Sequence, residues 1–277
     1  MLRTVLFFGL LTGTLLIIGF LLAGMVGMLF FLILSFVINF AIYWHSDKIV
    51  LGMYKAKEVS ENEEPEIHEI VKKLAKEAKI HKPKIYLIKT NVPNAFACGR
   101  SPKKSVVALT SGLINALNKD EIEGVIAHEI AHIKARDTLT SVVAATIAGA
   151  ISYIAYIAWW SVLSENSRRS VNILLLPLLI FAPMAATLVR LAISREREYK
   201  ADENGAILSK KPLSLASALE KISLYIKRSP MEGNAATSHL FIVNPFRSDS
   251  FSNLFNTHPS VELRIKRLKE LAEKIKS

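Results

Sequence analysis

Two histidines stand four residues apart in GVIAHEIAHIKARD, Gly124 to Asp137, with a glutamate directly after the first. On a helix His128 and His132 lie one turn apart on one face, so both imidazoles can point at one metal ion. Zinc takes such ligands at about 2.0–2.1 Å. Glu129 sits about 100° further round the helix. It cannot share the histidines' geometry, but it can reach a water held by the metal, as H-E-x-x-H requires of its general base. Ile122, Ile126, Ile130 and Ile133 form an apolar stripe roughly opposite the histidines, and Gly124, Ala131 and Ala135 leave room around them. Two histidines do not complete a catalytic zinc site: a third protein ligand is needed, with the fourth position open to water.

The helix that carries this motif has a clear start. Asn118 followed by Glu121 reads as a cap with an acidic first turn. Upstream, Ile67, Ile70, Val71, Leu74 and Ala78 recur at helical spacing, with Pro65 suited to the first turn. The period then changes. Lys84–Thr90, AFACG and SVVALTSG read as three short strands separated by the turns NVPN and GRSPKK. Downstream, Pro212–Arg228 and Pro259–Lys276 read as helices, and Met231–Asn256 as a loop holding the apolar piece LFIV. The single cysteine, Cys98, excludes an internal disulfide and reads as a small packing residue.

The remaining segments are apolar. No charged residue lies between Arg3 and His45, about twice the roughly 20 residues that one spanning helix needs. The run reads as two helices with a turn near Gly24–Gly27. It is too long for the core of a cleaved signal peptide, about 7–15 residues. Thr138–Leu163 and Val171–Ala192, separated by SENSRRS, read as a second hairpin in which Pro177 and Pro183 kink the last helix. The net charge of +11 sits almost wholly in two mixed-charge blocks, His45–Asp137 and Ser194–Ser277, which hold 31 of 35 basic and 23 of 24 acidic residues. With four spans both blocks share one side, and the excess of Lys and Arg makes it the cytoplasm. Arg168 and Arg169, in the opposite loop, run mildly against this rule. The basic balance fits anionic headgroups, and no nucleic-acid-binding pattern accompanies it.

The third ligand is sought in SREREYKADENGA. Glu198 and Asp202 share a helix face, so Glu198 could ligate while Asp202 accepts from the outer nitrogen of a ligating histidine. Read alone, the run is better taken as a solvated charged face with Arg195, Arg197 and Lys200 as partners. Glu196, Glu203 and His258 compete for the same position, but only Glu198 has a carboxylate one turn on along its own face.

PNAFACG, HEIAH, REYKAD, HLFIVNP and THPSVELRI, in this order and interleaved with two apolar hairpins, resemble the HtpX-like membrane zinc metalloproteases. These are gluzincins, to which the CAAX prenyl proteases are more distantly related. The resemblance runs the length of the chain and departs from the family pattern at Cys98, where Thr is usual. It implies that His128, His132 and Glu198 bind one Zn²⁺, that Glu129 is the general base and that Asp202 orients a ligand. It implies that Asn94, Ala95, Phe96 and Ala97 form an edge strand that pairs with an extended substrate. It further implies that His258 and Arg264 stabilise the oxyanion.

The expectation is an α+β fold: a mostly helical integral membrane zincin with a small β-sheet and about four transmembrane helices. Residues 1–45 form the first hairpin, 46–137 and 194–277 the two parts of a cytoplasmic zincin domain, and 138–193 the second hairpin. The expected activity is zinc-dependent endopeptidase action on misfolded membrane proteins or their cytoplasmic segments, at the plasma membrane. The partners are polypeptides and the lipid bilayer, with oligomeric state open. A prenyl-protein protease and a non-catalytic zinc scaffold are the alternatives; the second would not need Glu129, which binds no metal.

Overall fold

The computed structural model describes residues 2–147, 195–232, 235–246 and 259–276. Helix α1 (Leu2–Met53) is broken at Ala23 and Gly24, and Gly24 adopts φ 58°, a left-handed value that glycine tolerates without strain. The two arms fold back on each other. Asn39 Nδ2 donates to Thr12 Oγ1 at 2.9 Å. On a straight helix 27 residues would separate these side chains by about 40 Å. Gly19 and Gly27 meet where the arms cross, and a Cβ on Gly27 would lie 2.1 Å from the Gly19 carbonyl oxygen. Leu21, Val26, Phe30, Ile33 and Phe36 point outward and are exposed. The expected first hairpin is thus formed, within the one described stretch long and apolar enough to cross a membrane, Phe8–His45. Of the second hairpin, only α5 (Asp137–Ile147) is described; the rest of Thr138–Leu163 and all of Val171–Ala192 lie outside the described residues. Among the described residues one apolar hairpin is seen, and the other two expected spans fall mostly outside them.

The polar part is a four-stranded sheet in the order β1-β2-β4-β3, covered on both faces. Its strands are β1 (Lys57–Glu58), β2 (Lys84–Ile88), β3 (Ala95–Ser101) and β4 (Lys104–Thr110). β2 and β4 are parallel, and β3 turns back antiparallel to β4 as the edge strand. Alternation along the strands sorts their side chains. Ala95, Ala97, Val107 and Leu109 pack against α2 (Pro65–Ala78) and α4 (Lys119–Ala135). Phe96, Cys98, Val106 and Ala108 face the other way, onto Val50 and Leu51 at the end of α1 and onto Phe241 and Phe246. Cys98 is buried there, as its packing role requires, and burial pushes its thiol far above the usual range.

Three details were not anticipated. β1 is too short to leave a periodic signal. SVVALTSG ends as a strand at Thr110, whose hydroxyl caps the short α3 (Ser111–Ala116) by accepting from Leu113 N. Within Met231–Asn256, residues Ala235–Leu240 form a 3-10 turn and the following apolar residues are buried.

The hairpin carries a direct test. Cysteines replacing Thr12 and Asn39 in a Cys98→Ser background should cross-link on mild oxidation, and Gly27→Val should abolish the cross-link. No cross-link in the parent pair would mean that α1 is one continuous rod.

Candidate metalloprotease active site

α4 is positioned before its chemistry begins. Asn118 and Glu121 form a full capping box, with Glu121 N to Asn118 Oδ1 and Asn118 N to Glu121 Oε2 both at 2.9 Å. Expected to bury one stripe, the helix is instead buried nearly all round, from Glu121 through Ala131. It is the central helix, between the sheet on one side and α6 (Arg195–Ser209) and α7 (Pro212–Arg228) on the other. Gly124 admits the α7 backbone at Leu215, rather than a metal. Gly205 of α6 does the same for α4: a Cβ there would lie 2.8 Å from His128 N and 2.9 Å from its Cα. This close approach brings Glu198 to the histidines.

His128 Nε2 and His132 Nε2 face each other at 3.2 Å. Glu198 Oε1 lies 3.5 Å from His132 Nε2, and Glu198 Oε2 lies 3.9 Å from His128 Nε2. The three donor atoms converge within 4.8 Å. Ligands on a tetrahedral ion with bonds of about 2.0–2.1 Å lie about 3.3 Å apart, so the residues fit a metal of that kind. The competitors on α6 do not converge. Glu196 is exposed and pairs with Lys200 at 2.7 Å, and Glu203 is exposed. His258 lies outside the described residues.

The surrounding groups hold these three side chains. Asp202 Oδ1 lies 2.9 Å from His128 Nδ1, close enough for an ion pair though not aligned for a hydrogen bond. Arg264 grips Asp202 through two bonds, Nε to Oδ2 at 2.8 Å and Nη2 to Oδ1 at 2.7 Å, and its Nη1 donates to the Ile242 carbonyl at 2.6 Å. Arg264 is buried on α8 (Val261–Lys276), and it does not line the cavity that holds the histidines. Its guanidinium is directed at the carboxylate behind His128.

Asp137 is a partner that the sequence reading missed. α4 ends with Arg136 in the left-handed region, φ 59°. That turn folds Asp137 back to 3.5 Å from His132 Nδ1, while its other oxygen accepts from Arg197 Nη1 at 2.8 Å. The signal was a carboxylate five residues after the second histidine. His239, given no role from the sequence, also lines the cavity, with Nε2 2.9 Å from the Ser141 carbonyl oxygen.

β3 is the edge strand that the substrate reading requires, yet its start is covered. Ile242 N donates to the Ala95 carbonyl at 3.0 Å, and Asn94 Nδ2 donates to the Val243 carbonyl at 2.7 Å. Asn94, Ala95 and Phe96 are buried, and of the four residues only Ala97 lines the cavity. The cavity is about 30 Å³, room for a water and not for a peptide.

Burial pushes the Glu129 carboxyl up to about 7; Glu198 adds to this, while His132 and the Ala97 amide oppose it. Burial works against charge on His132 too, but Glu198, Asp137 and Glu129 outweigh it and raise the ring to about 9. For His128 burial wins over Asp202, and the ring is lowered. Burial also opposes the charge on Asp202, which Arg264 nonetheless keeps below the usual carboxylate range.

Two outcomes follow. At pH 7 the metal-free His132 is protonated, being raised to about 9. Binding a metal must displace that proton, so affinity should rise with pH, by up to about tenfold per unit, until pH 9. A competition titration at pH 6, 7 and 8 measures this, and a flat affinity would contradict it. Gly205→Ala should lower stability by about 1–3 kcal/mol and weaken metal binding, since α6 must back away from His128. Unchanged melting and metal content would show that the approach is not needed.

The chain matches the family model described as Peptidase family M48 over residues 61–272. A protein named Protease HtpX homolog from Pyrococcus furiosus is 53% identical over 275 residues, which cover 98% of this chain and 95% of the relative. One of the same name from Aquifex aeolicus is 46% identical over 272 residues, covering 95% and 90%. Among solved structures, S. mikatae Ste24p aligns with 93% of this chain at a TM-score of 0.53 and 18% identity, and this chain spans 61% of it. That likeness extends to the fold. Together with the apolar hairpin and the converging His128, His132 and Glu198, these matches establish that the chain belongs to peptidase family M48 and is a membrane metalloprotease.

Proposed function

We propose that the chain is a zinc endopeptidase that cleaves misfolded membrane proteins or their cytoplasmic segments. The observation that carries this reading is the convergence of His128, His132 and Glu198 beside a buried Glu129. His128, His132 and Glu198 hold the zinc. The chemistry zinc supplies when bound is polarisation of a carbonyl and acidification of a water. Glu129 accepts a proton on its carboxylate and returns it to the leaving amine. The burial of Glu129, which with the nearby Glu198 raises its affinity for a proton, suits it to both halves of that task.

Asp202 and Asp137 orient the two histidines from behind. Arg264 acts through Asp202 rather than on the substrate, a role supported by its bonds to that carboxylate. The oxyanion role then falls to His258 alone. An extended substrate pairs with β3, and to do so it displaces the Ile242–Ala95 hydrogen bond.

The domain plan is a first hairpin at 1–45, a second at 138–193, and a split zincin domain of 46–137 and 194–277 on the cytoplasmic side of the plasma membrane. What supports this side is the clustering of Lys and Arg in the two polar blocks. A prenyl-protein protease is favoured only by the fold shared with Ste24p. A farnesylated peptide distinguishes it from the unfolded-protein substrate proposed here.

Glu129→Ala should keep about one zinc per chain and lose cleavage of an unfolded protein, because the base is not a ligand. Glu198→Ala should lose the zinc. His258→Ala should keep it and slow turnover by about 10²–10³-fold, as for a lost oxyanion donor. Zinc content set beside turnover decides the roles: Glu198→Ala that holds zinc while His258→Ala loses it would overturn the assignment. Single cysteines at Lys57, Ser167 and Lys276, in a Cys98→Ser background, test the topology with an impermeant thiol reagent. Only the Ser167 site should label from outside intact cells, and outside labelling of the other two would reverse the orientation.

A further inference from the structure

At the end of the apolar hairpin, three side chains stack in sequence. Phe40 and Trp44, one turn apart on α1, lie parallel with ring centroids 5.7 Å apart. The Arg100 guanidinium lies over the outer ring, its Cζ 3.9 Å from the Trp44 centroid. Phe40 and Trp44 both belong to the stretch Phe8–His45, and Trp44 is at its last turn. A tryptophan there belongs at the headgroup level, so Arg100 stands just above the hydrocarbon. Arg100 is near the end of β3, at the tip of the β3–β4 hairpin GRSPKKS, where Lys103 in the turn and Lys104 at the start of β4 are both exposed. Exposed Lys48 follows Trp44 by one turn of α1. None of these four cations makes an ion pair among the described residues. Nearby Asp47 is the one acid in the α1 part of this cluster, and the turn itself has none.

We propose that the β3–β4 turn, with Lys48, is a binding site for the phosphate of anionic phospholipid headgroups. The Trp44 ring fixes the plane of the half-buried guanidinium at the bilayer surface, where a lipid phosphate can accept from its accessible part and from the exposed lysines beside it. The site has a consequence for specificity. β3 runs from this turn to Ala97 in the active-site cavity, about 10 Å away at the rise of a strand. Holding the turn on the headgroups holds the cleft at a set height, and so favours scissile bonds close to the membrane. The proposal rests on the hairpin crossing the bilayer and not on the roles of the metal ligands.

The test uses the full chain in vesicles of phosphatidylcholine with one part in four phosphatidylglycerol. Spin-labelled versions of the two lipids report the fraction immobilised on the protein. Each cation near such a surface is worth about fivefold in local affinity. Wild type should therefore prefer phosphatidylglycerol at least about fivefold more than Arg100→Gln/Lys103→Gln/Lys104→Gln, with the difference shrinking in high salt. Cleavage of a soluble unfolded protein should be equal in the two. If the triple variant does not fold, Lys103→Gln/Lys104→Gln with Arg100 retained should show a smaller loss of preference. Equal lipid preference in wild type and variant would overturn the proposal. So would loss of the preference in inorganic phosphate but not in sodium chloride of the same ionic strength, which would assign the cations to free phosphate. Chain washed from the vesicles by alkaline carbonate would overturn the membrane reading, and this proposal with it.

Discussion

The contact between Gly205 and the backbone of His128 is the constraint on which the rest of the site depends. Any side chain at Gly205 would strike backbone atoms, which cannot swing aside as a flexible side chain would. With glycine there, α6 lies against α4 closely enough for Glu198 to face two imidazoles from the opposite helix. The same approach carries Asp202 to the back of His128 and Arg197 to Asp137. Glu198, Asp202 and Arg197 all reach their partners from α6 because one position lacks a Cβ.

A second chain of contacts ties the histidine cluster to the edge strand β3. From His128 it passes through Asp202 and Arg264 to the Ile242 carbonyl, and through the Ile242 amide to Ala95 on the edge strand. Every member is buried, where an unpaired charge would be costly. The other face of β3 is tied to the membrane hairpin: Phe96 stacks edge-on with Phe241, and Tyr54, just beyond α1, packs on both. The converging histidines and carboxylate and the hairpin thus share the edge strand β3 as their common support.

Much of this was legible in the sequence because it follows from periodicity and spacing within single elements. The HExxH helix, its capping box, the three longer strands and the choice of Glu198 over Glu196 and Glu203 all depend on angles around one helix or alternation along one strand. The helix-breaking glycine of the hairpin lay at Gly24, at the near end of the expected turn. What was not legible depends on where elements meet. Gly205 looks like any glycine in a polar helix until α4 is packed on it. Asp137 reaches His132 only because Arg136 turns left-handed, which nothing in HIKARD signals. Arg264, read as a group facing the substrate, is directed at Asp202, because α8, packed mainly on α7 and less on α6, presents it to that carboxylate from outside the cavity. His239 reaches the cavity through a 3-10 turn whose sequence has no period to read.

The central claim is that two imidazoles from α4 and one carboxylate from α6 form the protein's share of the metal site. X-ray absorption spectroscopy of the zinc-loaded protein tests it most directly. The account predicts two histidine nitrogens at about 2.0–2.1 Å, with carboxylate and water oxygens completing a four-coordinate shell. Multiple-scattering features requiring three imidazoles, or a shell without any, would contradict it.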